Sequence, residues 1–516
     1  MRQSEQAEVI SFLSHASAYP CHPAFVRRHE THGAFVFLAG DRAYKLKRAA
    51  KFPYMDYSSV EKRHQMCSRE IEVNRGMAPE IYIGIAKITR HPDGILRISP
   101  EQAPNEAIDW LVVMHRFPEG GLLEEMRKHG TLTEEILRQA ARRIALFHAS
   151  SEIRREFGGS AGISSVIESN HTILGGMVGQ PFSREKVALL GDLSRAMLER
   201  LKGILERRRQ AGYVRRVHGD LHLNNICLFD NTPVPFDAIE FGDDFACIDT
   251  FYDLAFFLMD LDRHGLFQGA NAVLNAYLEQ SLDYTGLAPL PLFLACRAAI
   301  RAHVTMSMAR EGIEASTAQQ NAVAFLDHAL SYLRPSGPTL MAVGGVSGTG
   351  KSTLARSLAP VIGAKPGAVV LRSDVIRKQL WGKSPEEHLP EAAYSADFSV
   401  KVFQTIAERA EIILRAGHSV IADAVYGLPE EREVLAKIGR RVNAKFVGFW
   451  LTASEEILER RIAARTNDAS DATADVLRKQ LLNVIPPQDW IAVEAEGRFE
   501  DVFAETVRQL QEVEAP

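Results

Sequence analysis

Apolar residues recur along this chain in two rhythms, and the rhythm changes near residue 338. In the N-terminal part the pattern alternates: Ala34 to Lys47 reads as a hairpin turning at Gly40-Asp41, followed by a helix over 58–77 and strands near 81–89 and 110–114. Helical periodicity then dominates, interrupted by a short predicted strand pair around 226–229 and 234–239. Beyond 338, short apolar runs at 339–344, 368–372, 419–422 and 445–451 alternate with long amphipathic segments. Unbroken apolar runs mark strands covered on both faces, so this half predicts a parallel sheet between helices. The segment Arg334-Pro335-Ser336-Gly337-Pro338 separates the two patterns. Two prolines and a glycine end the preceding helix there, which predicts domains over 1–335 and 336–516.

Length changes this picture little: 516 residues exceed what one core usually holds, in keeping with two domains. A formal charge of −5 supplies no basic footprint, so nucleic acid is not the expected partner and anionic ligands must be met by local cations. The cysteines, Cys21, Cys67, Cys227, Cys247 and Cys296, lack paired spacing, which indicates neither a disulfide framework nor a zinc site. The N-terminus has no apolar signal core and no apolar run is long enough to span a membrane, so a cytoplasmic protein is expected.

The chemistry begins at Gly345-Val346-Ser347-Gly348-Thr349-Gly350-Lys351-Ser352, followed by Thr353. A buried strand feeding a glycine turn and then a helix is a phosphate cradle: backbone N–H groups and the positive end of the helix face an anion. Lys351 is placed to neutralise the ATP β/γ-phosphates and Ser352 to hold Mg²⁺.

In the N-terminal half, Val217-His218-Gly219-Asp220-Leu221-His222-Leu223-Asn224-Asn225 is followed by Pro233-Val234-Pro235-Phe236-Asp237. This resembles the aminoglycoside phosphotransferase and protein-kinase-like superfamily, which implies a bilobal α+β kinase fold. The resemblance assigns Asp220 to orient the acceptor hydroxyl and take its proton, with Asn225 and Asp237 on Mg²⁺, His218 supporting the loop and Asp253 tying it down. Glu240, in Asp237-Ala238-Ile239-Glu240-Phe241-Gly242, rivals Asp237 for the metal. Lys45 resembles the phosphate-pairing lysine and Glu70 its helix partner, although alternation puts Lys45 and Lys47 on one strand face. The turn before that strand, Glu30-Thr31-His32-Gly33, has a single glycine where protein kinases have several, and 110–117 resembles the adenine-contacting strand and hinge. Arg297 and Arg301 could reach an anionic substrate from one helix face, although a solvated face explains them as well.

The C-terminal half resembles the P-loop kinases of the gluconate kinase, polynucleotide kinase and zeta toxin type. That resemblance makes Asp374 the acceptor base, Arg377 an acceptor anchor, Asp423 a Mg²⁺ or acceptor contact, and Arg461 and Arg465 lid arginines over the transferring phosphoryl. Together the two resemblances imply a tandem kinase using ATP and Mg²⁺ on small hydroxylated acceptors. The alternatives are one active P-loop kinase with a regulatory or acceptor-binding N-terminal half, or a polynucleotide 5′-hydroxyl kinase.

Overall fold

The computed structural model describes residues 3–514 apart from 53–54, 180, 310–314, 385–386 and 465–469. The chain forms two compact units, one of residues 1–165 and 205–260, the other of 166–204 and 261–516.

The first unit is built on a six-stranded antiparallel sheet in the order Val26–Glu30, Ala34–Ala39, Arg42–Lys47, Ala107–His115, Tyr82–Arg90, Leu96–Pro100. The predicted hairpin is present, with Ala34 opposite Lys47 and Ala39 opposite Arg42. Alternation divides the sheet's side chains between two cores. Phe35, Phe37, Tyr44 and Leu46 pack beneath the N-terminal helix Gln3–Leu13, while Ala43, Val112 and Met114 pack against Cys67 and Ile71 of the helix Val60–Arg75. Ser59 caps that helix by accepting from Lys62 N–H, and Glu70 lies on its buried side. The pair Ile226–Phe229 and Thr232–Pro235 turns through Asp230 and Asn231, both at positive φ. The second strand is shorter than its apolar pattern predicts: pairing stops at Pro235, and the chain turns away at Asp237, φ 64°.

The second unit holds a five-stranded parallel sheet in the order Val369–Arg372, Val420–Asp423, Thr339–Gly344, Lys445–Thr452, Ile491–Glu494. The apolar runs become its strands as expected, and Ile491–Glu494 is an edge strand that its short, mixed sequence did not announce. Met341, Leu354, Leu358, Ile421 and Phe449 form the core beneath the helix that follows the glycine turn.

Pro335–Gly337 is exposed coil and Pro338 is partly buried, but the compact units do not divide there. Helix Phe267–Ser281 belongs with the parallel sheet. Its buried Asn275 accepts from Val370 N–H (2.7 Å), and Asn271 donates to the carbonyl oxygens of Pro366 (3.2 Å) and Ala368 (3.0 Å). These amides satisfy backbone groups at the sheet edge that would otherwise be buried without partners. Sequence marks the change of fold at 335; packing groups the helices before it with the sheet after it.

Candidate active sites

In the second unit the strand Thr339–Gly344 delivers the glycine turn to the carboxyl end of the sheet, where ligands of open α/β folds bind. Gly345 has φ 137°, and a Cβ there would stand 2.6 Å from Leu451 O; Gly348 has φ 91° and the backbone of Leu458 against it. Neither position accommodates a side chain. The turn opens the helix Lys351–Leu358, so Lys351, Ser352 and Thr353 occupy its first turn. Lys351 Nζ donates to Val346 O (3.0 Å), Thr349 Oγ1 to the same carbonyl (2.8 Å), and Ser352 Oγ to Asp423 Oδ2 (2.5 Å). Asp423 is buried at the end of its strand with Arg372 Nε 3.5 Å away.

A cavity of about 1310 Å³ extends from this turn and is lined by Ser347, Lys351, Asp374, Arg377, Asp423 and Arg461 among others. Asp374 opens the helix Ser373–Trp381. Burial pushes its carboxyl above the ordinary value, Arg372 and Lys351 pull the other way, and Asp423 adds to the rise. A carboxyl so placed is a stronger base once ionised, which suits proton acceptance from a hydroxyl. Arg377 is buried and donates to Ala393 O (2.6 Å) and Ser399 Oγ, with Tyr394's ring 5.0 Å from its guanidinium carbon. Burial lowers its pKa, with Asp374 and Tyr394 opposing the shift. Arg465 lies outside the described residues. Gln480 and Asp471 also make contacts around this cavity that carry no sequence signal, since nothing in a lone Gln or Asp announces a contact across more than 80 residues.

In the first unit, Lys45 Nζ lies 2.9 Å from Glu70 Oε1 and 2.5 Å from Asp237 Oδ1. Lys47 Nζ lies 2.6 Å from Glu70 Oε2 and 2.5 Å from Glu240 Oε1, and Tyr57 donates to the same Glu240 oxygen at 2.5 Å. The two open alternatives thus separate by depth. Lys47, 1% exposed, and Glu240 form an inner pair; Lys45 leads to Asp237, which is 41% exposed. Burial would raise Glu70, but Lys45 and Lys47 more than offset it and hold the carboxyl at about 2. The same carboxylates keep Lys45 and Lys47 charged despite burial.

The loop around Asp220 is fixed by its neighbours. Asp253, fully buried, accepts from the N–H groups of His218 (3.1 Å) and Gly219 (2.8 Å) and lies 3.1 Å from His148 Nε2. The His218 ring donates from Nε2–H to Phe236 O (2.8 Å) and accepts at Nδ1 from Asp220 N–H (3.2 Å), the pattern of a neutral imidazole, and burial lowers its pKa in the same sense. Asn225 Nδ2 donates to Asp220 O (2.9 Å) and Oδ2 (3.0 Å). Asp220, 41% exposed, is left facing outward, where an acceptor hydroxyl can approach.

Oxygen donors that suit Mg²⁺ are present in both units: Ser352 and Asp423 in one, Asp237 and Asn225 in the other. Among the described residues no trio of His, Cys, Asp or Glu forms a closed metal cage. Two donors completed by nucleotide phosphates is how Mg²⁺ is usually held, so the residues fit the ion. Among the described residues no helix is long and apolar enough to cross a membrane.

A family model described as an AAA domain matches residues 340–487. The uncharacterized protein Rv2004c of Mycobacterium tuberculosis (strain ATCC 25618 / H37Rv) is 30% identical over 459 residues, covering 88% of this chain and 89% of its own. Among solved structures, a gluconokinase from Sinorhizobium meliloti 1021 aligns with 34% of this chain and 93% of its own at 22% identity, TM-score 0.26. An amicoumacin kinase, hAmiN, in complex with AMP-PNP, Ca²⁺ and Ami, aligns with 64% of this chain and 93% of its own at 14% identity, TM-score 0.37.

Proposed function

The chain belongs to the family of that mycobacterial protein, and on this premise we propose that it is a tandem ATP-dependent phosphotransferase, each half transferring the γ-phosphoryl group to a hydroxyl of a small acceptor. The observation that supports the reading is duplication: each compact unit has its own candidate lysine for phosphate, its own candidate oxygen donors for Mg²⁺ and its own candidate base.

In the P-loop half, backbone amides and Lys351 bind the nucleotide phosphates, and Ser352 with Asp423 holds Mg²⁺. When bound, the ion would supply charge neutralisation to the nucleotide phosphates. Asp374 takes the proton of the acceptor hydroxyl as its oxygen attacks the γ-phosphorus and the bond to the departing ADP oxygen breaks, Arg377 anchors the acceptor, and Arg461 faces the charge that spreads over the moving phosphoryl. In the kinase-like half, Glu70 holds Lys45 for the α/β-phosphates, Asp220 receives the hydroxyl proton, and Asn225 with Asp237 holds Mg²⁺. Small hydroxylated molecules suit both sites; a polynucleotide does not suit an acidic chain.

One observation favours a second reading, in which the kinase-like half senses nucleotide and regulates the other. Lys45 already bonds both Glu70 and Asp237, and the turn at 31–33 offers one glycine for gripping phosphate. ATP turnover by the full chain against sugars, sugar acids, aminoglycosides, nucleosides and 5′-hydroxyl oligonucleotides tests the proposal. Acceptor-dependent release of ADP with at least one small hydroxylated compound is expected. ATP binding without transfer to any acceptor contradicts it.

A further inference from the structure

Residues 470–484 reach both sides of the P-loop cavity. At one end the Ser470 side chain bonds the Asp374 carboxylate. The next residue, Asp471, 10% exposed, accepts from Tyr394 OH (2.7 Å), Leu389 N–H (3.2 Å) and Lys378 Nζ (3.4 Å), and lies 2.9 Å from His388 Nδ1. Lys378 belongs to the helix that carries Asp374 and Arg377; residues 388–394 follow it and include cavity-lining Tyr394. Lys378 is itself buried, so the Asp471 carboxylate is bound to a charge that has little access to water. Asp471 therefore fastens this segment to the acceptor side.

At the other end, Gln480 on the helix Ala474–Asn483 accepts a 2.7 Å hydrogen bond from Ser347 N–H, inside the glycine turn. The same helix is seated by Leu477, which packs with Val346 and Leu458. Backbone amides of such a turn are the donors that nucleotide phosphates use. The Gln480 carboxamide oxygen and a phosphate oxygen therefore compete for one N–H, and a charged acceptor forms the stronger bond.

We propose that Gln480 is a positioning residue that reports nucleotide binding to the acceptor wall. A phosphate takes the Ser347 amide, Gln480 is released, and the helix Ala474–Asn483 transmits the release to Asp471 and from there to Tyr394 and Lys378. This inference rests on the phosphotransferase reading of the P-loop half. It gives that half a means of matching its acceptor wall to the presence of ATP, because the ligand interacts differently with the latched and released forms.

Hydrogen exchange of the full chain, titrated with Mg·AMP-PNP, tests it by region. In the natural protein the nucleotide should protect residues 345–353 and alter exchange in 388–394, and both effects should vanish in Lys351→Ala. Gln480→Ala removes the competitor, so the protection of 345–353 should saturate at a concentration about three- to tenfold lower, and the response of 388–394 should be lost. Asp471→Asn keeps the side-chain shape; the nucleotide should still protect 345–353 in it, while the response of 388–394 is abolished. Affinity that is unchanged or weaker in Gln480→Ala overturns the proposal, as does a full response of 388–394 in either variant. Failure of the natural protein to protect 345–353 at all overturns instead the phosphotransferase reading of this half.

Discussion

The Lys45 ammonium lies 2.5 Å from the Asp237 carboxylate, while its strand neighbour Lys47 pairs at 2.5 Å with Glu240. Both lysines share Glu70, so one carboxylate on the helix Val60–Arg75 organises an outer, more exposed pair and an inner, buried one. The two pairs should respond differently to substitution. Lys45→Met should reduce turnover by the kinase-like half at least about 10²-fold, the scale of losing one electrostatic stabiliser of the phosphoryl group. Lys47→Met should instead destabilise the unit by about 3–5 kcal/mol, because Glu240 is left buried without its cation. Denaturant titration alongside ATP turnover separates the outcomes, and equal effects of the two substitutions on both would contradict this division.

Acid should undo the same network in a defined window. Glu70 is held at about 2 against an ordinary 4.5, so its contribution to stability is complete above the ordinary value and is lost as pH falls from there toward 2. Glu70→Gln lacks this term, and its stability difference from the natural protein should shrink across that interval. Thermal unfolding at successive acid pH values checks the sign.

Asp374 should behave in the opposite sense. Its carboxyl is raised above 3.8 by burial, so the ionised form is disfavoured in the fold and stability falls as pH rises through the raised value. Asp374→Asn should therefore unfold at a higher temperature than the natural protein near neutral pH, while losing phosphoryl transfer by the P-loop half and retaining nucleotide binding. A lower unfolding temperature together with intact transfer would assign the base elsewhere.

The sheet edge makes a prediction about fragments. A fragment of residues 261–516 keeps Asn271 and Asn275 on the strand Val369–Arg372; a fragment of 336–516 leaves Val370 N–H and Ala368 O without them. The longer fragment should be the more stable, by about 1–3 kcal/mol for each buried backbone group restored to a partner. Urea denaturation of the two fragments measures the difference, and equal stability would show that these amides add nothing to the sheet.

These cases show which parts of the molecule were legible in the sequence. The parallel sheet, the hairpin and the glycine turn were readable because their signals are local: apolar runs, period-two alternation, fixed glycine spacing. The helix grouping was not, because Asn271 and Asn275 look like ordinary polar residues until the fold brings the strand edge to them. Period-two alternation placed Lys45 and Lys47 on one face, yet their partners sit almost 200 residues away and only tertiary packing separates Asp237 from Glu240. Gln480 and Asp471 were invisible for the same reason, with partners distant in sequence and no motif around them.

Whether both halves transfer phosphoryl groups is decided by acceptor-dependent ATP turnover of the Lys351→Ala protein. With the P-loop lysine removed, only the kinase-like half can act. Residual turnover with a hydroxylated acceptor is expected, and it should disappear when Asp220→Ala is added, while Mg·ATP binding to that half persists. Intact nucleotide binding with no turnover on any acceptor, before Asp220 is touched, would contradict it.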